Sequence, residues 1–117
     1  MPIYDSAKPN NGVWVSRNIN TIYQAEEDGF FVGTVRGSGS SVQGERYQVY
    51  SDSSATPTTL RNEIELTGHT NEHAVSGKAS AFSIPVRKGD YYRVTEVTFS
   101  GSISQTNTFW WIPRSAT

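Results

Sequence analysis

An antiparallel β-sandwich of jelly-roll type is predicted by two features of the sequence. Short runs of β-branched and aromatic residues are separated by polar turns, and nothing over ten residues shows helical periodicity. The chain has 117 residues, the size of one domain. Strands at this spacing are typical of sandwiches and jelly rolls. We expect residues 13–117 to form the sandwich, and residues 1–12, rich in Pro, Asn and Gly, to form an arm or linker.

The clearest strand signal is the stretch 82–99, in which two apolar runs flank a turn at residues 88–90. Gly89 suits this turn because it adopts a positive φ without a Cβ clash. Pro85 cannot donate to a ladder, so the first strand is expected at a sheet edge. After the turn the apolar positions change parity, which predicts a bulge near residues 95–96. We interpret the stretch as a β-hairpin.

Shorter strands are predicted in the rest of the chain. They are residues 13–15, 21–25, 30–35, 45–50, 59–67 and 108–113. Strand 30–35 is apolar on both faces, so both faces are expected to be covered. In strand 59–67, Leu60, Ile64 and Leu66 share one face and charged residues alternate with them, which predicts one dry and one wet side.

The composition argues against nucleic acid and membranes as partners. The formal net charge is −1, with 10 basic and 11 acidic residues and no charge run. A nucleic-acid partner would require a basic patch, so none is expected. There is no cysteine, hence no disulfide framework. No apolar run reaches the length of a membrane helix, and the N-terminus lacks the layout of a signal peptide. Membrane insertion is therefore not expected.

Few motifs point to chemistry. Residues 69–73 match H-x-x-E-H, but zinc binding by that motif needs a helix that places both histidines on one face. Gly68, Thr70 and Asn71 disfavour a helix, so a solvated loop is the favoured interpretation, with a weak metal site as the alternative. No Ser/His/acid arrangement is recognisable, and the scattered carboxylates carry no glycosidase signature. We expect no cofactor and no enzymatic activity.

The aromatic residues give the strongest hint about assembly. Trp110 and Trp111 are neighbours in one strand, so their rings leave opposite faces. Burying an indole is worth about 2–3 kcal/mol, so the outward ring needs a cover. A loop of the same chain, a stacked sugar or a neighbouring subunit could supply it. Paired rings recur at residues 30–31 and 91–92, and three such pairs exceed one small core. A subunit contact is favoured. Which tryptophan faces inward stays open, because a one-residue slip exchanges the faces.

Three segments in order, residues 23–32, 82–90 and 109–113, resemble the C-terminal knob domains of bacteriophage tail fibres, tail needles and related trimeric adhesins. The layout is also similar to TNF/C1q-like jelly rolls. The resemblance implies a homotrimer with the first and last strands near the three-fold axis. It places Trp14, Phe109 and either Trp110 or Trp111 at or near subunit contacts.

The resemblance also implies a virion or extracellular location at a fibre tip, and a host-surface glycan or outer-membrane protein as receptor. Recognition is expected to use the loops 36–44, 51–58, 68–76 and 101–107. The residues named for ligand binding are Tyr47, Tyr50, Arg61, His69, Asn71 and His73. Two alternatives are a purely structural knob that trimerises and caps a shaft, and a monomeric carbohydrate-binding module of a secreted enzyme.

Overall fold

A computed structural model describes residues 13–38, 44–67, 79–100 and 104–116, and within these ranges the chain forms eight strands and one short 3-10 turn. The strands are β1 (Val15–Arg17), β2 (Tyr23–Gln24), β3 (Gly29–Ser38), β4 (Gly44–Asp52), β5 (Leu60–Thr67), β6 (Ala79–Val86), β7 (Tyr91–Ser100) and β8 (Ser104–Pro113). The 3-10 turn, Arg114–Ala116, follows β8 directly.

The strands form two four-stranded antiparallel sheets. Sheet A has the order β1-β8-β3-β6 and sheet B the order β2-β7-β4-β5. The chain changes sheet at every connection except β4–β5, which join within sheet B. This is the strand order of an eight-stranded jelly roll, so the predicted fold class is confirmed.

The core lies between the sheets and is dominated by aromatic rings. Phe31 is fully buried at its centre, with ring centroids 4.8 Å from Tyr92, 5.3 Å from Phe82 and 6.4 Å from Phe109. Trp111 stacks on Tyr92 at 4.8 Å. Burial raises the pKa of Tyr92, an effect opposed by the hydrogen bond that its hydroxyl accepts from Arg17 Nε at 2.9 Å. Large rings therefore fill the small core.

The stretch 82–99 is not a hairpin. Its first strand, β6, pairs with β3 in sheet A, whereas β7 pairs with β2 and β4 in sheet B. The turn at residues 88–90 thus crosses from one sheet to the other, because inward apolar side chains of both strands face each other across the core. Gly89 has φ 90° as expected, and β6, which carries Pro85, is an edge strand of sheet A.

Two irregularities change the predicted faces in sheet B. The pairing of β7 with β4 is continuous through residues 95–96, so the bulge predicted there is wrong; the register shifts opposite Phe99 instead. Val97 consequently points outward and is 43 % exposed. The pairing of β4 with β5 shifts its register between Val49 and Tyr50 of β4, so Arg61 of β5 has no cross-strand partner. Leu60 is therefore exposed and does not share the buried face of Ile64.

Several strand limits differ from the predicted ones. The strand predicted at 13–15 starts only at Val15 and continues to Arg17, and the strand predicted at 21–25 is limited to Tyr23–Gln24. The third strand, β3, continues to Ser38 through part of the predicted loop 36–44. The last strand begins at Ser104, inside the predicted loop 101–107. Pairing between β3 and β8 continues to Ser38 and Ser104, so backbone hydrogen bonding keeps these polar residues in the sheet.

Candidate binding and assembly surfaces

The outer surface of sheet A carries an apolar patch near the end at which β3 begins. Its members point away from the core and alternate with core residues along their strands. We name this patch the aromatic face; it consists of Trp14, Phe30, Val32, Pro85, Trp110 and Ile112. In register, Val32 lies beside Trp110, and Phe30 lies between Ile112 and Pro85. Four chain segments thus contribute to one surface.

The aromatic face is open to solvent among the described residues. Trp14 is 50 % exposed and Phe30 is 43 % exposed. The Trp14 ring meets the Trp110 ring edge-on, with centroids 6.5 Å apart, so each indole covers only part of the other. Within the sheet the face is bordered by the uncharged side chains Ser16, Ser83, Thr34 and Thr108. At the end where β3 begins, Phe30 and Pro85 also line a groove that three arginines reach. The expectation that strand 30–35 is covered on both faces is not met within this part of the chain.

The outer surface of sheet B is different. Arg46 forms ion pairs with Glu65 at 2.8 Å and with Glu63 at 3.7 Å. The guanidinium of Arg93 lies over the Tyr50 ring at 5.1 Å. Such a network of paired charges is compatible with water contact, and the apolar side chains Leu60 and Val97 occur there singly. The two outer surfaces of one sandwich are therefore chemically unequal.

The structure separates the residues expected at subunit contacts into two groups. Trp14 and Trp110 belong to the aromatic face. Phe109 and Trp111 lie in the core, only 2 % and 3 % exposed, and cannot contact a neighbouring subunit from there. The alternation predicted for strand 108–113 is right, and the register in sheet A decides which tryptophan faces inward.

The residues expected to bind a ligand do not form one site. Tyr47 is fully buried, and its hydroxyl lies 3.3 Å from Glu96 Oε2, so it is a core residue. Tyr50 lies on the outer surface of sheet B and donates to Gln48 Oε1 at 2.9 Å. Arg61 borders a groove beside β6. The three remaining candidates, His69, Asn71 and His73, lie outside the described residues, as does the H-x-x-E-H motif.

Strand ends place the predicted recognition loops at two opposite poles. Gly44 pairs with both Thr67 and Ser100, and Ser38 pairs with Ser104. The strands that flank 39–43, 68–78 and 101–103 therefore end together at what we name the upper pole. The segment after β4 leaves from the other end, the lower pole, where β3 begins and β8 ends. The loop 51–58 thus lies at the opposite pole from the strand ends that flank the other three.

Asp52 organises this lower-pole segment. Its Oδ1 accepts a hydrogen bond from Ser54 N at 2.8 Å, and its Oδ2 accepts from Thr58 N, Thr59 N and Thr59 Oγ1 at 2.8–2.9 Å. These bonds favour the ionised carboxylate, the one from Ser54 most, and they lower the pKa of Asp52 from 3.8 to about 2. The segment is consequently an ordered turn.

A groove of about 940 Å³ runs beside the edge strand β6. Its walls come from the start of β3, from β6 and from the beginning of β5. Three arginines reach it, Arg61, Arg87 and Arg114. Only Arg61 was among the sequence-derived candidates. The other two come from turns far apart in the chain, and no local pattern indicates that they converge.

No protein-family model, curated protein or solved structure matches the chain. Among the described residues there is no helix long and apolar enough to cross a membrane. The described ranges also hold no cluster of three or more His, Cys, Asp or Glu side chains that would suit a metal ion.

Proposed function

We propose that the chain is a non-enzymatic knob domain that assembles into a homotrimer and binds a host-surface glycan or protein at the tip of a phage tail fibre or similar fibre. The observation that carries this proposal is the aromatic face. A lone domain would leave Trp14 and Trp110 partly in water beside Val32 and Ile112, on the part of sheet A where β1 and β8 lie. Contiguous apolar patches of this kind are typical of protein contact sites.

Energy favours burial of the aromatic face against another subunit. Fully burying one large apolar side chain is worth about 1.5–3 kcal/mol, and several members of the face are available. Stable homomeric contacts are more apolar than the remaining surface and have few charges at their centre. The face also includes β8 and the segment leading into β1, the last and first strands of the chain. The resemblance to trimeric knobs implies those strands near the three-fold axis.

The arrangement of the poles supports a tip position. β1 begins beside Trp111, near the lower pole, whereas three of the predicted recognition loops connect strands at the upper pole. A fibre that joins the knob through β1 would then direct the upper pole away from the shaft. Loops carried on a rigid sandwich are a common location for binding residues.

The first test is the mass of the purified chain in solution. Multi-angle light scattering at micromolar concentration is expected to give three times the chain mass of 12.9 kDa. Labelled protein is expected to bind host cells, and combined replacement of His69, Asn71 and His73 by Ala should abolish binding without changing the mass. A monomer in solution would contradict the assembly. A trimer that binds no candidate cell would instead support the purely structural knob.

A second candidate is a monomeric carbohydrate-binding module. One observation favours it: Trp14 and Phe30 are the half-exposed rings that a sugar face could stack on. This alternative predicts a monomer that binds a soluble polysaccharide, with binding lost in Trp14→Ala. The light-scattering measurement separates the two candidates because only the knob requires the aromatic face to be covered by other copies.

A further inference from the structure

The groove beside β6 combines cationic and apolar walls. Arg61 and Asn62 line one side, at the start of β5. The other side is formed by β6 with Phe30, whose ring is 43 % exposed. Its volume of about 940 Å³ is within the range of pockets that hold small ligands. One sugar unit or two would fit in such a groove.

The groove has more positive than negative side chains. Two aspartates accompany the three arginines, and both are already engaged. Asp28 Oδ1 accepts a hydrogen bond from Lys88 N at 2.8 Å. Asp90 Oδ2 lies 3.6 Å from Arg87 Nε. In the described part of the chain, no carboxylate lies within ion-pair distance of Arg61. Arg61 is therefore the groove's uncompensated cation.

The guanidinium of Arg61 is held in place from its Nε side. Nε donates to Ser51 O at 3.0 Å and approaches Ser51 Oγ at 3.3 Å. This contact follows from the register shift in β5, which leaves Arg61 without a cross-strand partner. With Nε occupied, the two Nη groups are the donors available to a ligand. A planar guanidinium with two parallel donors suits a carboxylate.

We propose that this groove binds a sugar that carries a carboxylate, such as a uronic or a sialic acid unit of a host-surface glycan. The Arg61 Nη groups bind the carboxylate, Arg87 adds positive charge, and the C–H face of the sugar ring packs on Phe30 and Pro85. These two side chains lie on the β6 side of the aromatic face, outside the subunit contact proposed for its β1 and β8 side. Asn62 and Ser83 supply polar groups for hydroxyls. The inference goes beyond the proposed function, because the groove lies at the lower pole and is a separate site from the upper-pole loops expected to bind the receptor.

The test uses an array of uronic-acid and sialic-acid glycans, each printed beside its methyl ester, which keeps the sugar and removes the charge. The wild-type chain is expected to bind at least one acidic series and to lose about tenfold or more in affinity on the esters, equivalent to about 1.4 kcal/mol. The two acidic series distinguish the two sources of the carboxylate.

Three variants locate the site. Arg61→Gln is expected to reduce affinity for the acidic glycan by about tenfold or more, since two charge-assisted hydrogen bonds are lost. Arg87→Gln, at a side chain that is 84 % exposed, should reduce it a few-fold and leave folding unchanged. Arg46→Gln is the matched control, because Arg46 lies on the outer surface of sheet B and is paired with Glu65. It should leave glycan binding unchanged.

Any of three results would overturn the inference: equal binding to acids and esters, unchanged binding by both groove variants, or no binding to any acidic glycan. None of these results bears on the mass of the assembly or on cell binding by the upper-pole loops. A trimer that binds cells but no acidic glycan would therefore reject the groove assignment and leave the proposed function standing.

Discussion

Gly33 shows how closely the aromatic core is packed at the scale of one residue. A Cβ built there would lie 2.4 Å from Phe109 Cδ1 and 2.5 Å from Phe82 Cε2. Neither ring has room to move, because both pack against Phe31. We expect Gly33→Ala to lower the free energy of unfolding by about 2–3 kcal/mol, as overpacking does. Urea denaturation measures this. The neighbouring Thr34→Ala, on the outer surface, should cost less than about 1 kcal/mol, and equal losses in both variants would contradict the packing argument.

Asp52 makes the stability of the chain depend on pH. Its pKa is about 2 in the folded chain and 3.8 ordinarily. A lowered pKa means that its stabilising effect is complete above about pH 4 and is lost as the pH falls towards 2. Asp52→Asn, which cannot ionise, should melt at a lower temperature than wild type at pH 7. The difference in Tm between the two should shrink as the pH falls to 2. A difference that stays constant from pH 7 to pH 2 would show that ionisation of Asp52 contributes nothing.

At the scale of elements, the crossing between β6 and β7 depends on the turn that contains Gly89. The turn is fastened to the segment before β3, since Gly89 N donates to Ala25 O at 2.8 Å and Ala25 N donates to Asp90 O at 2.8 Å. A Cβ at Gly89 would meet nothing within 4 Å, so only the φ of +90° penalises a side chain there. We expect Gly89→Ala to cost about 1 kcal/mol. Thermal unfolding of Gly89→Ala and Gly89→Asn tests this, and Asn should cost less because it tolerates positive φ.

The same crossing shows which features of the fold the sequence pattern does not predict. Alternation correctly separates the two faces of β6 and of β8, because each strand has one buried side and a two-residue period. Which face of β8 is the buried one follows from the register in sheet A. A short turn with glycine looks the same whether it joins strands of one sheet or of two. The hairpin prediction failed for that reason. The predicted inward orientation of Leu60 failed for a different reason. Arg61 has no cross-strand partner, so the side chains that precede it in β5 point to the opposite faces, and this register shift depends on the pairing with β4.

The candidate surfaces also divide into a part that one strand's pattern predicts and a part that depends on tertiary structure. The outward exposure of Phe30 could be predicted from its own strand, because Phe31 beside it takes the buried face. Adjacent tryptophans likewise require that one be outside the core. The groove beside β6 had no such signal. Its arginines converge only because the lower pole brings together the beginning of β5, the turn after β6 and the end of β8.

At the scale of the whole molecule, the inequality of the two outer surfaces determines how copies would meet. Sheet B exposes paired charges, whose removal from water would cost more than their attraction returns. Sheet A exposes the aromatic face, whose apolar area gains free energy by leaving water. In the proposed homotrimer, assembly through sheet A is therefore favoured, and the three copies would meet around an axis that β1 and β8 approach. A closed ring of this kind also leaves no aromatic face open to further copies.

A single charge in the aromatic face tests this arrangement. Val32 lies at the centre of sheet A's outer surface, half-buried and next to Trp110 in register. We expect Val32→Glu to leave the isolated sandwich folded, since the side chain points away from the core, but to place a carboxylate inside the subunit contact. An unpaired charge there should cost about 3 kcal/mol or more per contact and weaken assembly at least a hundredfold.

The matched control is Thr95→Glu, which puts the same charge on the outer surface of sheet B beside Gln48. Light scattering should find Val32→Glu monomeric and Thr95→Glu trimeric, both with the circular dichroism of the wild type. If Val32→Glu assembles as the wild type does, the aromatic face is not the contact between copies.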